Sequence, residues 1–191
     1  MNDYITEQSK NLKIMLDEKK PTPILINFCG KSGSGKSAIS RTIAAKFQAV
    51  YLEMDTIEWL LGDTPPNMVN RYEVAYGLAK SNLLIGNPVV SDACNHSKTT
   101  RKGWNQIAEE TGCIHLNIEI TCSDNTQRKA RLEERKTKMK HILDYDTDAI
   151  MSEPWDDWDN PTNLITIDTA DRSINECISL ITNAIRRKLN P

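Results

Sequence analysis

One stretch constrains the fold of this chain more than any other. It is INFCGKSGSGKSAIS, from Ile26 to Ser40, where a short apolar run passes into a glycine-rich segment and then into a helical pattern. Gly30, Gly33 and Gly35 can adopt backbone conformations that are closed to other residues. An apolar strand followed directly by such a turn and a helix predicts a buried central strand with the turn at its carboxyl end.

The same segment fits the spacing G-x-x-x-x-G-K-[ST], with Gly30, Gly35, Lys36 and Ser37 at the fixed positions. In such a loop the backbone N–H groups and the following helix N-terminus form a site for phosphate. Lys36 is expected to reach the β- and γ-phosphates of a nucleotide, and the Ser37 hydroxyl to bind Mg²⁺. A plain Gly/Ser turn is the alternative, but it does not need Lys-Ser at the helix start. The predicted nucleotide-binding residues are Gly30, Lys31, Ser32, Gly33, Ser34, Gly35, Lys36, Ser37 and Ala38.

Length and charge set further bounds. The 191 residues suit one compact domain, residues 1–191, with residues 1–20 as a peripheral N-terminal helix. The 24 basic and 26 acidic residues nearly balance, which makes a nucleic-acid partner unlikely on charge. The start of the chain lacks the basic and apolar regions of a secretion signal, and no apolar run reaches the roughly 18 residues of a membrane span. We therefore expect a cytoplasmic protein without a membrane partner, either a monomer or a homodimer.

Predicted strands alternate with predicted helices along the chain. The strands are PILINFC (23–29), AVYLEMD (49–55), PVVSD (88–92), CIHLNIEI (113–120) and NLITIDT (163–169). Helical patterns follow the glycine loop and then separate the later strands, and a last one closes the chain. This alternation predicts an α/β fold with a parallel, doubly wound sheet of five strands and a ligand site at its carboxyl edge.

The phosphate loop alone does not distinguish a switch, a motor and a transferase. The chain has no Asn-Lys-x-Asp guanine reader and no Leu-Ser-Gly-Gly transporter signature. It does carry Asp55 and Asp92 at the ends of the second and third predicted strands, and parallel strands would bring both to the loop. Asp92 is predicted to hold Mg²⁺ through water, with a helix N-cap as the alternative.

Three arginines lie on a predicted charged helix. Arg128, Arg131 and Arg135 are spaced i, i+3 and i+7, so they share one face. Guanidinium groups suit a transferring phosphoryl group, whose charge is spread over three oxygens. A lid that excludes water is typical where that group passes to another acceptor. The alternative is a solvated helix with Glu133 and Glu134 as partners.

Together these motifs resemble the small P-loop kinases, a group that includes polynucleotide kinase, zeta toxins, chloramphenicol phosphotransferase and gluconate kinase. The resemblance runs from about residue 23 to the C-terminal helix and rests on GKSGSGKS, YLEMDTIEWLL, NPVVSDA, RKARLEER and LITIDTAD. It implies a three-layer P-loop kinase fold with an arginine-bearing helical lid. It also implies an enzyme that uses ATP and Mg²⁺ to phosphorylate a hydroxyl of a small molecule.

The resemblance assigns roles to individual residues. Asp55 would act on the acceptor hydroxyl as catalytic base or positioning group, with a capping box to Glu58 as the alternative. Polynucleotide kinases carry an arginine where this chain has Glu58, which favours a small or cationic acceptor over a nucleic-acid end. A nucleoside, nucleotide or polynucleotide kinase and a regulatory nucleotide-binding protein stay open as alternatives. The predicted catalytic residues are Lys36, Asp55, Arg131 and Arg135, with Arg128 at the nucleotide and Ser37 and Asp92 at the metal.

The sequence leaves several further residues open. Trp155 and Trp158 could stack on an acceptor or attract a cation, but anchoring a loop is the favoured interpretation. His96 could contact the substrate or polarise its hydroxyl, but a surface or capping residue is the favoured interpretation. Arg71, Tyr72 and Tyr76 lie on a helical segment and are equally compatible with acceptor contacts and with packing.

Overall fold

The computed structural model describes residues 22–62, 70–138, 146–159 and 163–189. Within these ranges five strands alternate with seven helices. The strands are β1 (Ile24–Cys29), β2 (Val50–Glu53), β3 (Val89–Asp92), β4 (Ile114–Thr121) and β5 (Leu164–Asp168). The helices are α1 (Lys36–Lys46), α2 (Met54–Leu61), α3 (Arg71–Leu84), α4 (Lys98–Thr111), α5 (Asn125–Lys138), α6 (Thr147–Met151) and α7 (Ile174–Leu189). The helix predicted over residues 1–20 lies outside the described residues.

The five strands form one parallel sheet in the order β2-β3-β1-β4-β5. Strand β1 is central, as its apolar sequence predicts, and all six of its residues are buried. Because every strand runs the same way, all five carboxyl ends meet at one edge. The predicted α/β class and the five-stranded parallel sheet are confirmed.

Helices cover both faces of the sheet and make three layers. Alternate residues of β1 point to opposite faces, so Ile26 and Phe28 join one core while Leu25 joins the other. The first core includes Ile43 of α1 and residues of α7, and the second includes Trp104 of α4 and residues of α3. The described part of the chain holds no helix with the length and apolar character that a membrane crossing requires.

A buried polar network joins the central strands below the carboxyl edge. The Asn27 side chain donates to Asn117 Oδ1 at 2.8 Å and accepts from Ser91 Oγ at 2.6 Å and from Asn95 Nδ2 at 2.9 Å. Asn95 Oδ1 in turn accepts from Trp104 Nε1 at 3.0 Å. These bonds satisfy polar groups that would otherwise destabilise the core, and they fix β1, β3 and β4 relative to one another.

The second strand is shorter than the sequence predicts. It ends at Glu53 and not at Asp55, which lies in the first turn of α2. The helix begins there because Met54 packs into the core and Glu53 takes the extended conformation of an N-cap residue. The predicted strand end at Asp55 is therefore wrong. A capping role for Asp55 is wrong as well, since Glu53 holds the N-cap position.

Candidate active site

The glycine-rich loop joins β1 to α1 at the carboxyl edge. Gly30, Gly33 and Gly35 have φ values of 144°, 82° and 93°, in the range that L side chains rarely adopt. A Cβ on Gly30 would collide with the backbone oxygen of Ile120, and one on Gly33 would lie 2.9 Å from the backbone oxygen of Arg128. The loop is thus packed from below by β4 and α5, and its shape requires glycine. This is the cradle that a polyphosphate fits.

Lys36 and Asp92 form a buried ion pair beside the loop. Lys36 Nζ lies 2.9 Å from Asp92 Oδ1, and the Tyr51 hydroxyl donates to Asp92 Oδ2 at 2.7 Å. Burial alone would raise the pKa of Asp92, but the charge of Lys36 and hydrogen bonds from Lys36, Tyr51 and Ser37 outweigh it and lower that pKa. Burial likewise opposes the charge of Lys36, yet Asp92 and neighbouring groups leave the pKa of Lys36 above its ordinary value. Both side chains are therefore charged at neutral pH.

The placement of Asp92 agrees with a metal-holding role and not with a cap. Helix α4 is capped by Ser97, whose side chain accepts from the Thr100 N–H, so Asp92 does not cap it. The Ser37 hydroxyl lies near the Asp92 carboxylate and helps to lower the pKa of Asp92. Carboxylate and hydroxyl oxygens are ligands that Mg²⁺ prefers, so these two residues fit a magnesium ion that arrives with a nucleotide.

Helix α5 brings two of its arginines to the cavity. Arg131 Nη1 donates to Thr169 Oγ1 at 2.9 Å and to the Ser34 carbonyl oxygen at 3.4 Å. One turn later, Arg135 Nη2 donates to Asp55 Oδ2 at 2.6 Å. The lid helix therefore reaches the glycine loop with one guanidinium and α2 with the next.

Arg128 is placed differently from the other two. It is buried, its Nε donates to the Ser32 carbonyl oxygen at 2.8 Å, and its Nη2 donates to the Ile150 carbonyl oxygen at 3.3 Å. These contacts hold the glycine loop against α6 from behind. The predicted role of Arg128 at the nucleotide stays a prediction, since the contacts described for its side chain are to the backbone of the loop and of α6.

A single cavity of about 560 Å³ connects these groups. It runs from the glycine loop to α2, where Glu53 Oε1 accepts from Arg41 Nη2 at 2.8 Å and Glu53 Oε2 accepts from Thr56 Oγ1 at 2.6 Å. Its wall contains most of the predicted site residues, but not Gly30, Asp92 or Arg128. The lining residues are Lys31, Ser32, Gly33, Ser34, Gly35, Lys36, Ser37, Ala38, Arg41, Glu53, Asp55, Thr56, Trp59, Cys94, Arg131 and Arg135.

Sequence reasoning missed part of this wall. Arg41 follows Ser37 by four residues on α1, and Trp59 follows Asp55 by four on α2, so each shares a helix face with a predicted site residue. That spacing was a usable signal once the helix boundaries were known. Cys94 reaches the wall from the loop after β3.

The two tryptophans of the loop after α6 do not reach the cavity. The Arg101 guanidinium lies 4.5 Å from the ring centroid of Trp158 and 5.8 Å from that of Trp155, and its Nη2 donates to the Asp156 carbonyl oxygen at 2.7 Å. The cation that these rings attract belongs to the protein itself. Their contacts agree with the favoured interpretation, an anchored loop.

His96, Tyr72 and Tyr76 do not line the cavity either. The side chain of His96 is exposed next to the N-cap Ser97. The Tyr76 ring packs edge-on against Trp104, with 4.8 Å between centroids, and its hydroxyl donates to the Thr100 carbonyl oxygen at 2.8 Å. Tyr76 is thus part of the packing face of α3 and not of the cavity.

A glycine cradle after the central strand of a parallel sheet, with a buried lysine–aspartate pair beside it, defines a P-loop protein of the α/β class. Residues 25–153 match the model of the AAA domain family. The match spans well over half of the chain, which therefore belongs to that family. A comparison with curated proteins finds no match in sequence.

Solved structures similar to this chain include several small kinases. The APS kinase CysC of Mycobacterium tuberculosis, solved with AMPPNP and APS, is 19% identical with a TM-score of 0.63, covering 87% of this chain and 99% of that one. A sugar kinase from Janibacter sp. HTCC2649 is 14% identical with a TM-score of 0.65, covering 87% and 95%. A gluconokinase from Sinorhizobium meliloti 1021 is 15% identical with a TM-score of 0.59, covering 90% and 95%. At these identities the likeness establishes the fold, which is the three-layer fold of small P-loop kinases.

Proposed function

We propose that this protein is a kinase that transfers the γ-phosphoryl group of ATP to a hydroxyl of a small molecule. The observation that carries the proposal is the continuity of one cavity from the phosphate loop to a wall of carboxylates and guanidinium groups. A phosphate site on its own serves binding or hydrolysis. An adjoining pocket with a carboxylate at hand is what a second substrate requires.

The transfer step assigns a task to each group. The acceptor oxygen forms a bond to the γ-phosphorus. The bond between that phosphorus and the bridging oxygen breaks, and the electron pair of the broken bond leaves with ADP. The proton of the hydroxyl passes to the carboxylate of Asp55. Lys36, Arg131 and Arg135 stabilise the charge on the transferring group. Mg²⁺ bound by Ser37, and through water by Asp92, would neutralise further phosphate charge.

The choice of ATP rests on two supports. The chain has no Asn-Lys-x-Asp guanine reader. One similar structure, the APS kinase of Mycobacterium tuberculosis, was solved with AMPPNP. Calorimetric titration with ATP and GTP tests the assignment, and clearly tighter binding of GTP would overturn it.

The test of the function is acceptor-dependent release of ADP. Purified protein is incubated with ATP, Mg²⁺ and pooled hydroxyl metabolites, and ADP is measured with and without each pool. We expect release that depends on an acceptor and is lost in Lys36→Met, which removes the charge at the phosphates. Slow release that no pool accelerates would favour the regulatory nucleotide-binding protein instead.

A further inference from the structure

The cavity wall on the α2 side has a composition that bears on the acceptor. We call it the acceptor wall, and it consists of Arg41, Glu53, Asp55, Thr56, Trp59 and Arg135. Asp55, Thr56 and Trp59 belong to α2, Glu53 ends β2, Arg135 lies on the lid helix α5 and Arg41 lies on α1. They are the residues that an acceptor would contact if the phosphates lie on the glycine loop.

The charges of the acceptor wall are balanced in pairs. Arg41 Nη2 lies 2.8 Å from Glu53 Oε1, and Arg135 Nη2 lies 2.6 Å from Asp55 Oδ2. An anionic acceptor would bring its charge close to two carboxylates, and a cationic acceptor would bring its charge close to two guanidinium groups. Neither kind of charge is favoured by this wall.

Neutral hydroxyl groups fit the same pairs well. A hydroxyl can donate to a carboxylate and accept from a guanidinium at once, so vicinal hydroxyls can bridge a paired Arg and Glu. The Glu53 carboxylate is also oriented by Thr56, whose Oγ1 donates to Oε2 at 2.6 Å. Arg135 has five N–H donors, so it can serve a phosphoryl group while it stays beside Asp55.

Trp59 adds an apolar surface to this polar wall. Its side chain is 67% exposed although it is the largest apolar group on α2, and it shares a helix face with Asp55. An indole ring offers a flat apolar face, which suits the C–H face of a sugar ring. A polar wall beside one exposed aromatic ring thus fits a molecule that carries both hydroxyls and a C–H face.

We propose that the acceptor is a neutral polyhydroxy compound of monosaccharide size, a sugar or a polyol. This inference rests on the proposed kinase function. The size follows because the cavity of about 560 Å³ must take phosphates as well as the acceptor.

The experiment compares three matched acceptor sets: neutral sugars and polyols, the corresponding sugar acids, and the corresponding amino sugars. ADP release gives kcat/KM, and mass spectrometry identifies the phosphorylated product. We expect a neutral acceptor with a kcat/KM at least about tenfold above those of its charged counterparts.

A charged counterpart that is preferred, or phosphorylation of charged sets alone, would overturn the inference and leave the kinase function intact. Acceptor-dependent release from the metabolite pools, but from none of the three sets, would also overturn the inference alone. If no pool and no set accelerates release, the kinase function fails.

Variants of the wall test the charge argument directly. Arg41→Gln leaves Glu53 unpaired and should shift relative kcat/KM toward amino sugars by about tenfold, whereas Glu53→Gln should shift it toward sugar acids. Arg41 is exposed, so its replacement should not impair folding. Lys80→Gln is the matched control, because it breaks an exposed pair with Glu110 away from the cavity. Unchanged preferences in both wall variants would contradict the inference.

Trp59 provides an independent test. Trp59→Ala should raise the KM for the neutral acceptor about tenfold or more with little change in the KM for ATP, and Trp59→Phe should restore most of the affinity. An unchanged KM in Trp59→Ala would exclude the stacking role.

Discussion

Arg135 of the lid donates a 2.6 Å hydrogen bond to Asp55 of α2, from Nη2 to Oδ2. The contact spans the cavity and joins the helix predicted to stabilise the phosphoryl group to the residue predicted to receive the proton. Both side chains are partly exposed, so the pair adds little stability and can rearrange at small cost. A phosphoryl group between loop and acceptor wall would therefore meet Arg135 and Asp55 together.

The role of Asp55 is testable by a nearly isosteric change. Asp55→Asn should lower kcat for transfer by about a hundredfold or more, because the amide cannot take the hydroxyl proton, while ATP affinity is retained. Single-turnover transfer and calorimetric titration with ATP measure the two quantities separately.

Two neighbours serve as comparisons for Asp55. Glu58→Gln, one turn further along α2 and not part of the cavity lining, should leave transfer unchanged. Near wild-type transfer in Asp55→Asn would remove Asp55 from the mechanism. If Glu53→Gln instead caused the hundredfold loss, the strand-end carboxylate would be the base.

Local sequence was sufficient to predict the central part of the fold. The unit of β1, loop and α1 needs only one apolar run, three glycines and a Lys-Ser pair, each with a local physical reason. The meeting of Lys36 with Asp92 was also predictable, because parallel strands bring their carboxyl ends together.

The parts that were not predicted depend on tertiary contacts. The start of α2 is set by burial of Met54, which the local pattern does not reveal. The direction of Arg128 depends on how the lid helix lies on the loop, so spacing alone placed it with Arg131. The acceptor wall depends on which faces of α1 and α2 lie toward each other. Without the helix boundaries, the sequence around Arg41 does not indicate that its side chain lies on that face.

The glycine loop should not tolerate a methyl group at Gly33. Gly33→Ala places a Cβ 2.9 Å from both the Arg128 carbonyl oxygen and Leu132 Cγ, at a φ of 82°. We expect nucleotide affinity to fall at least about tenfold, because the backbone N–H groups lose their inward orientation. Titration with ATP measures the loss.

Gly77→Ala is the matched control for the loop variant. Gly77 lies within α3, and a Cβ there would meet nothing within 4 Å among the described residues. The substitution should stabilise the helix by about 0.5–1 kcal/mol and leave nucleotide affinity unchanged. Equal nucleotide affinity in the two variants would contradict the close packing of the loop.

Arg101 should be needed for the position of the loop after α6. Its Nη2 donates to the carbonyl oxygens of Asp156 and Asp157 at 2.7 and 3.0 Å, and its guanidinium lies against Trp158. Arg101→Met keeps the stem but removes the donors, so we expect a loss of about 2 kcal/mol in the free energy of unfolding. Denaturant unfolding measures this loss. Lys102→Gln, at an exposed neighbouring position, should have no effect, and equal losses in both variants would contradict the anchoring role.

Stability should fall with acidity because of His115 on β4. The side chain is half-buried, and its Nε2 is buried without a hydrogen-bond partner in the part of the chain that the structure describes. Burial disfavours the imidazolium and lowers the pKa of His115 from 6.5 to about 4. Between these values the unfolded chain binds a proton at this position more readily than the folded chain does.

The pH window follows from the sign of that shift. A lowered histidine pKa contributes stability that is fully present above pH 6.5 and declines as the pH falls toward 4. By about pH 5 the wild-type protein should have lost about 2 kcal/mol of unfolding free energy through His115 alone. His115→Leu has no proton to bind, so its loss between pH 7.5 and pH 5 should be smaller by that amount, while carboxylates such as Asp92 titrate alike in both proteins. Urea unfolding at the two pH values measures the difference.

His96→Gln, at an exposed position, serves as the control and should show the pH dependence of the wild type. If the stability of His115→Leu also followed the wild-type pH dependence, His115 would not be the cause of the loss in this pH window.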